Sequence, residues 1–222
     1  MADELFHDDL NERHQQVIAS KSAFYQTHTF CSKDQDPSIF ICSELFHNPE
    51  LATKKAIGFK LFYYHNQETL LQKKLWDYLH QEKSIKVIHL YRKNLLESYV
   101  SRKIAQQTDV WEISIQHKKT LKDEKKLDID INDFRLYMDK LLNQRTEALA
   151  LFSSHATLSI EYQQLSEHYQ QVMTQVQQFL NLEVKPLTKT LHKQSNLPIE
   201  SRVNNYDEIL KRLSVKKYYD YL

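Results

Sequence analysis

The chain has 222 residues, 30 Lys and Arg against 29 Asp and Glu, and a formal net charge of +1. That length fits one domain, and the balanced charge excludes the strongly basic surface of a general nucleic-acid binder, so no nucleic acid is expected among its partners. No apolar run approaches the ~20 residues of a membrane span and the first residues are polar and acidic, so neither a transmembrane segment nor a secretory leader is expected, and the expected compartment is cytoplasmic.

Cys31 and Cys42 are the only cysteines and read as free thiols in a reducing compartment. No Cys/His cluster has zinc spacing, so no metal is expected. Glycine is the anomaly. Gly58 is the only one, where average usage of ~7% would give about fifteen. The chain has no G-x-x-x-x-G-K-[ST] and no G-x-G-x-x-G, so any phosphate site must be built from side chains and helix ends.

In chain order, a helix is predicted through Leu10–Ser20 and another over Pro37–Phe46. Ile57–Tyr64 (IGFKLFYY) reads as a buried strand. Glu68–Glu82 carries Leu70, Leu71, Leu75, Trp76, Tyr78 and Leu79 at helical spacing. Lys86–Tyr91 is a second buried strand and Leu95–Gln107 the helix after it. The lysine-rich stretch His117–Lys126 reads as a solvated loop, with a lid over an anionic ligand as the alternative. A long helix follows over Asn132–Phe152, then a short strand at Thr157–Tyr162 and an amphipathic helix at Gln163–Leu180. The tail, 185–222, is expected to wrap the single domain 1–222, with a helix at Asp207–Leu213. The tetrapeptide ELFH occurs twice, at Glu4–His7 and Glu44–His47.

Strands alternating with helices give an α/β class with a parallel sheet flanked by helices in three layers. Only three strands are evident, fewer than a parallel sheet covered on both faces normally has, so an edge strand is expected to be missing or irregular.

The richest segment is Lys86–Ala105. It reads as a strand, a charged turn (Arg92, Lys93, Asn94) and a helix bearing Ser98 and Ser101. In open α/β sheets ligands bind where a strand's carboxyl end meets the next helix. A guanidinium there, beside a helix start, suits a phosphate. Asn94 can cap the helix, and Ser101, seven residues on, shares its face. The plainer alternative makes Arg92 a solvated turn residue and the two serines small packing residues.

Ile57–His65, His89–Asn94 through Ser101 to Ala105, Gln107–Trp111, Ile160–Tyr162, Phe179–Leu182, Lys193-Gln194 and Asn204–Glu208 together resemble the bacterial carbohydrate sulfotransferases, most closely the trehalose 2-sulfotransferase type. The resemblance covers most of the chain. It implies a P-loop NTPase-like fold and 3'-phosphoadenosine 5'-phosphosulfate (PAPS) as donor. It also implies a sugar or glycolipid hydroxyl as acceptor and, since such relatives can dimerise, a homodimer as one assembly. The family's 3'-phosphate motif, an Arg at a strand end and a Ser on the following helix, maps onto Arg92 and Ser101, with Ser98 as the fallback. Lys193 falls near where related enzymes bring a basic residue onto the nucleotide.

Two parts of the family pattern have no clear counterpart. One is a first strand with a P-R-S-G-[ST]-like loop for the 5'-phosphosulfate. The other is a C-Y-G-E-[IL]-F-[HN] segment whose Glu is proposed in relatives as general base. If Asp3–His7 matches the acidic segment, Glu4 is the base and the first strand and donor loop lie before Met1. If Cys42–His47 matches, Glu44 is the acid and Val17–Ser22 a degenerate donor loop. The first alignment keeps the expected spacing to Ile57 and explains both the low strand count and the absent glycine-rich loop.

Lys60 could point at the donor or snorkel to water, His65 could face the acceptor, and Trp111 is read as packing, with an acceptor platform as the alternative. Sulfuryl transfer depends on positioning and on stabilising charge at the leaving phosphate. Without the donor loop the chain is expected to be a weak catalyst, and a sulfotransferase-like protein that binds a nucleotide or protein partner without turnover is the second reading. A P-loop kinase ranks last, because the Walker lysine motif is absent.

Overall fold

The computed structural model describes residues 36–42, 46–63, 70–108, 110, 113–114, 126–189, 191–192, 195, 197–213, 218 and 221. Its elements in order are α1 (Pro37–Ile41), a 3-10 turn at Pro49–Leu51, α2 (Leu70–Gln81), β1 (Val87–Tyr91), α3 (Leu95–Thr108), β2 (Ile113–Ser114), α4 (Ile131–Leu151), β3 (Thr157–Glu161), α5 (Tyr162–Glu167), α6 (Tyr169–Phe179), β4 (Leu191–His192), a 3-10 turn at Ile199–Ser201 and α7 (Tyr206–Leu213). Among the described residues no helix is long and apolar enough to cross a membrane. They form two compact units, one from the chain up to Lys86 with Gln144–Ala156, the other from Val87–Asn143 with Thr157–Leu222.

In the first unit, Asp36 caps α1 by accepting from the Ser38 backbone N–H at 3.0 Å, with Pro37 in the first turn. Ile41 is fully buried with Leu75 and Leu79 of α2, and Phe46, Ile57, Phe59 and Leu61 pack around them. The residues after α4 close this core. The ring of Phe152 lies 5.4 Å from that of Trp76, and buried His155 donates from Nε2 to the Leu79 carbonyl at 3.0 Å. The expected strand at Ile57–Tyr64 is not formed over its described residues, 57–63. Ile57, Phe59 and Leu61 turn into the core while Gly58 and Lys60 face out. The period of two is therefore real, but the run packs on α2 instead of pairing with another strand. A Cβ at Gly58 would meet nothing within 4 Å, so no close approach demands that glycine. The helix expected over Pro37–Phe46 is α-helical over Pro37–Ile41, and the described residues Cys42 and Phe46 continue it in wider π form, with His47 N–H on the Cys42 carbonyl at 2.8 Å; Leu10–Ser20 lies outside the described residues.

In the second unit, β1 and β3 pair in parallel from Val87↔Thr157 to Tyr91↔Glu161. Among the described residues this is the whole parallel sheet; β2 and β4 form a separate antiparallel pair. Ile88, Leu90, Leu158 and Ile160 share one face by the alternation of a strand, and Ile160 is buried on Val172 and Val176 of α6. The main core lies where α3 meets α4 and the tail. Leu95, Leu96, Tyr99 and Val100 pack with Phe134, Met138, Val203 and Ile209. The helix expected at Gln163–Leu180 is two, because His168 leaves the helical region at φ −120°, ψ 45°.

Among the described residues sheet is sparse, and side-chain amides take over part of its role. Gln177 of α6 accepts from Lys185 N–H at 2.9 Å and donates to the Lys185 carbonyl at 3.1 Å. Gln170, two turns earlier, pairs in the same way with both backbone groups of Leu187. Asn205 does so with Ile129, at 3.0 and 2.8 Å. Each amide stands in for one rung of a ladder. The chain is turned back along α6 by Asn181, whose φ of 59° is left-handed. Leu182 N–H bonds to Gln177 O and Asn181 N–H to Gln178 O, closing a Schellman turn with Asn where glycine is usual. Gln177→Ala is expected to release Lys185 and to speed hydrogen exchange at its amide by about tenfold, the size of one hydrogen bond; unchanged exchange would show that the tail is held elsewhere.

Candidate functional site

Because β1 and β3 run in parallel with Tyr91 opposite Glu161, their carboxyl ends lie side by side. The next residues are Arg92 and Tyr162. Arg92 is half-buried and its guanidinium carbon sits 3.8 Å from the centre of the Tyr162 ring. Stacking uses the face of the guanidinium and leaves its N–H groups, which lie in the plane, directed at in-plane acceptors. The α3 helix starts three residues later. Asn94 Oδ1 accepts from Glu97 N–H at 2.8 Å, which is the N-cap bond expected from the sequence. Asn94, Ser98 and Ser101 follow one stripe of the helix at spacings of four and three. Both serines are half-buried. Ser98 Oγ lies 3.1 Å from the hydroxyl of Tyr137 on α4. A planar cation, the start of a fourteen-residue helix and hydroxyls on the same stripe suit an anion with several acceptor oxygens.

Arg92, Ser98 and Ser101 thus share one strand–turn–helix segment. Glu4, Lys193, Glu44, His65 and Trp111 lie outside the described residues, as does most of the lysine-rich stretch. Lys60 is exposed, with Nζ 4.6 Å from the ring of Phe62. Tyr162 belongs to the Ile160–Tyr162 segment of the resemblance, but the sequence assigns it no role at the site. Its signal was its position as the first residue after a strand that pairs with the arginine's strand, which becomes visible only once the pairing is known. Among the described residues no group of three or more His, Cys, Asp or Glu side chains is placed to hold a metal ion.

One turn along α3, Tyr99 donates a short hydrogen bond to Asp133 of α4, and Lys103 Nζ lies 2.9 Å from the same carboxylate. Burial, then the bond to Asp133, pushes the Tyr99 phenol up to about 12. The Tyr99 hydroxyl and then Lys103 hold Asp133 below the usual carboxylate range. The signs follow from which form each fold contact favours. The Asp133 contribution is present above the unfolded value of about 4 and fades as pH falls through the lowered one. The Tyr99 contribution is complete below about pH 10 and fades as pH rises toward about 12. The Asp133 side chain is 53% exposed, so the acid effect is modest. Asp133→Asn should flatten the acid limb of a stability–pH curve below about pH 4; an unchanged limb would remove Asp133 from the acid response.

The family model described as Stf0 sulphotransferase matches residues 80–208. The match is more than half of the chain and runs from the last turn of α2 into α7. No curated protein matches the chain, and no solved structure does.

Proposed function

The chain belongs to the Stf0 sulphotransferase family, and from that premise we propose that it transfers a sulfuryl group from PAPS to a hydroxyl of a carbohydrate or glycolipid. The observation that carries the reading is the Arg92–Tyr162 stack at the carboxyl ends of two parallel strands, next to the capped start of α3. In this reading Arg92 and a serine of α3 hold the 3'-phosphate of the donor. Ser101 is the residue carried from the resemblance, and Ser98 is its neighbour on the stripe. Tyr162 fixes the plane of the guanidinium. Lys193 approaches the nucleotide from the tail, and Glu4 takes the proton of the acceptor hydroxyl. The parallel strands β1 and β3 belong, in this reading, to a larger three-layer P-loop NTPase-like sheet.

The acceptor oxygen attacks sulfur in line, the bond from sulfur to the bridging oxygen breaks, and the proton leaves with the base. Binding energy at the distant 3'-phosphate serves to position the reacting end. Transfer of labelled sulfate from PAPS to a panel of sugars and glycolipids, alongside calorimetry with 3'-phosphoadenosine 5'-phosphate, tests it. Transfer supports the enzyme. Binding without transfer favours a sulfotransferase-like binding protein, and no binding would remove the nucleotide site.

A further inference from the structure

The hydroxyl of Tyr137 reaches the serine stripe from outside the strand–turn–helix segment. It sits 3.1 Å from Ser98 Oγ, and either oxygen can be the donor. Its ring is held on two sides. Tyr99 meets it edge-on at 5.2 Å, and the guanidinium carbon of Arg102 lies 5.8 Å from its centre. Both partners come from α3, so the phenol is fixed against the same helix that carries the serines. A serine hydroxyl has one proton and two lone pairs. If Ser98 gives its proton to Tyr137, none is left for a ligand. An ionised phosphate offers only acceptors, so a serine that binds it must donate to it. The bond to Tyr137 then has one permitted polarity, from the phenol to Ser98 Oγ, and such a chain strengthens both bonds.

We propose that Tyr137 is a positioning residue of the phosphate site: its O–H donates to Ser98 Oγ and turns the Ser98 proton toward the 3'-phosphate held by Arg92. The inference rests on the nucleotide reading given above and extends it, since it selects Ser98 as an oriented hydroxyl and assigns α4 a part in recognition. It also gives the helix pair a reason to carry a polar contact here, besides that of Tyr99 and Lys103 with Asp133. Tyr137 otherwise packs against an apolar core, where a phenylalanine would do the same.

The test measures binding of 3'-phosphoadenosine 5'-phosphate and of adenosine 5'-phosphate to the intact chain and to Tyr137→Phe, Ser98→Ala, the double variant and Arg92→Ala. Tyr137→Phe keeps the ring and removes only the hydroxyl. It should weaken the 3'-phosphorylated nucleotide about fivefold to tenfold, as one hydrogen bond is worth, and leave adenosine 5'-phosphate unchanged. The double variant should lose no more than Ser98→Ala alone, because the two hydroxyls act in series. Equal losses for both nucleotides would mean that Tyr137 only packs, and would overturn the proposal. So would unchanged binding in Tyr137→Phe while Arg92→Ala binds poorly, which leaves the nucleotide reading standing. If the unaltered chain binds neither nucleotide, the nucleotide reading itself fails and takes this inference with it.

Discussion

Arg92→Ala is expected to weaken binding of 3'-phosphoadenosine 5'-phosphate by about tenfold to a hundredfold, as loss of a charged hydrogen-bond partner does. The size follows from what the residue supplies. Its guanidinium is planar and stays charged over the whole accessible pH range, and the Tyr162 ring at 3.8 Å holds that plane. A phosphate there would meet two parallel N–H groups and the start of α3. Arg92→Lys should restore little, because an ammonium keeps the charge and loses both the fork and the stack. Tyr162→Leu should cost less than Arg92→Ala, since the charge survives and only its orientation loosens. Calorimetry at fixed salt reads all three. An Arg92→Ala variant that binds as the unaltered chain does would remove the arginine from the site.

Phe134→Ala is expected to destabilise the second unit by about 3–5 kcal/mol, the cost of truncating a fully buried ring. Phe134 is 0% exposed, and its ring lies 5.1 Å from that of Tyr99. It is the largest side chain completely shut from solvent in this core. The cavity would open between α3 and α4, the same pair joined by Ser98–Tyr137 and Tyr99–Asp133. Since the chain has two compact units, a single unfolding midpoint would mix them. Hydrogen exchange of the α3 amides isolates the effect. Exchange there should accelerate by two orders of magnitude or more, given about 1.4 kcal/mol per tenfold. Exchange unchanged within threefold would show that the core does not lean on Phe134.

Helices and two strands were legible because their signals are local. Leu75, Trp76 and Leu79 repeat at helical spacing, and α2 follows with all three buried. Strands β1 and β3 fall within a residue of their expected ranges, since VIHLY and TLSIE are short runs bounded by turns. Ile57–Tyr64 misled, over its described residues, for a reason in the physics of strands. Alternation shows which residues face a core, and Phe59 and Leu61 do face it. It does not say whether a second strand is present to accept the ladder. His168 likewise breaks α5 from α6 without a proline or glycine to announce it. At the site, Arg92 and Asn94 were readable because a strand end and a helix cap are local features. Tyr162 and Tyr137 were not. They reach the segment through the pairing of β3 and the packing of α4, at 70 and 39 residues' distance in the chain from Arg92 and Ser98.

The amides of Gln170, Gln177 and Asn205 expose the fold to a slow kind of chemical ageing. Each must be donor and acceptor at once, so hydrolysis to a carboxylate would spare one bond of the pair and reverse the other. At Gln177 the surviving oxygen could still accept from Lys185 N–H, while the new one would face the carbonyls of Lys185 and Met173. Two attractions would become repulsions between oxygens, with a negative charge added at a residue 6% exposed. A chain with a single glycine, and with Asn181 where glycine would serve, has put its tail in the keeping of groups that water can consume.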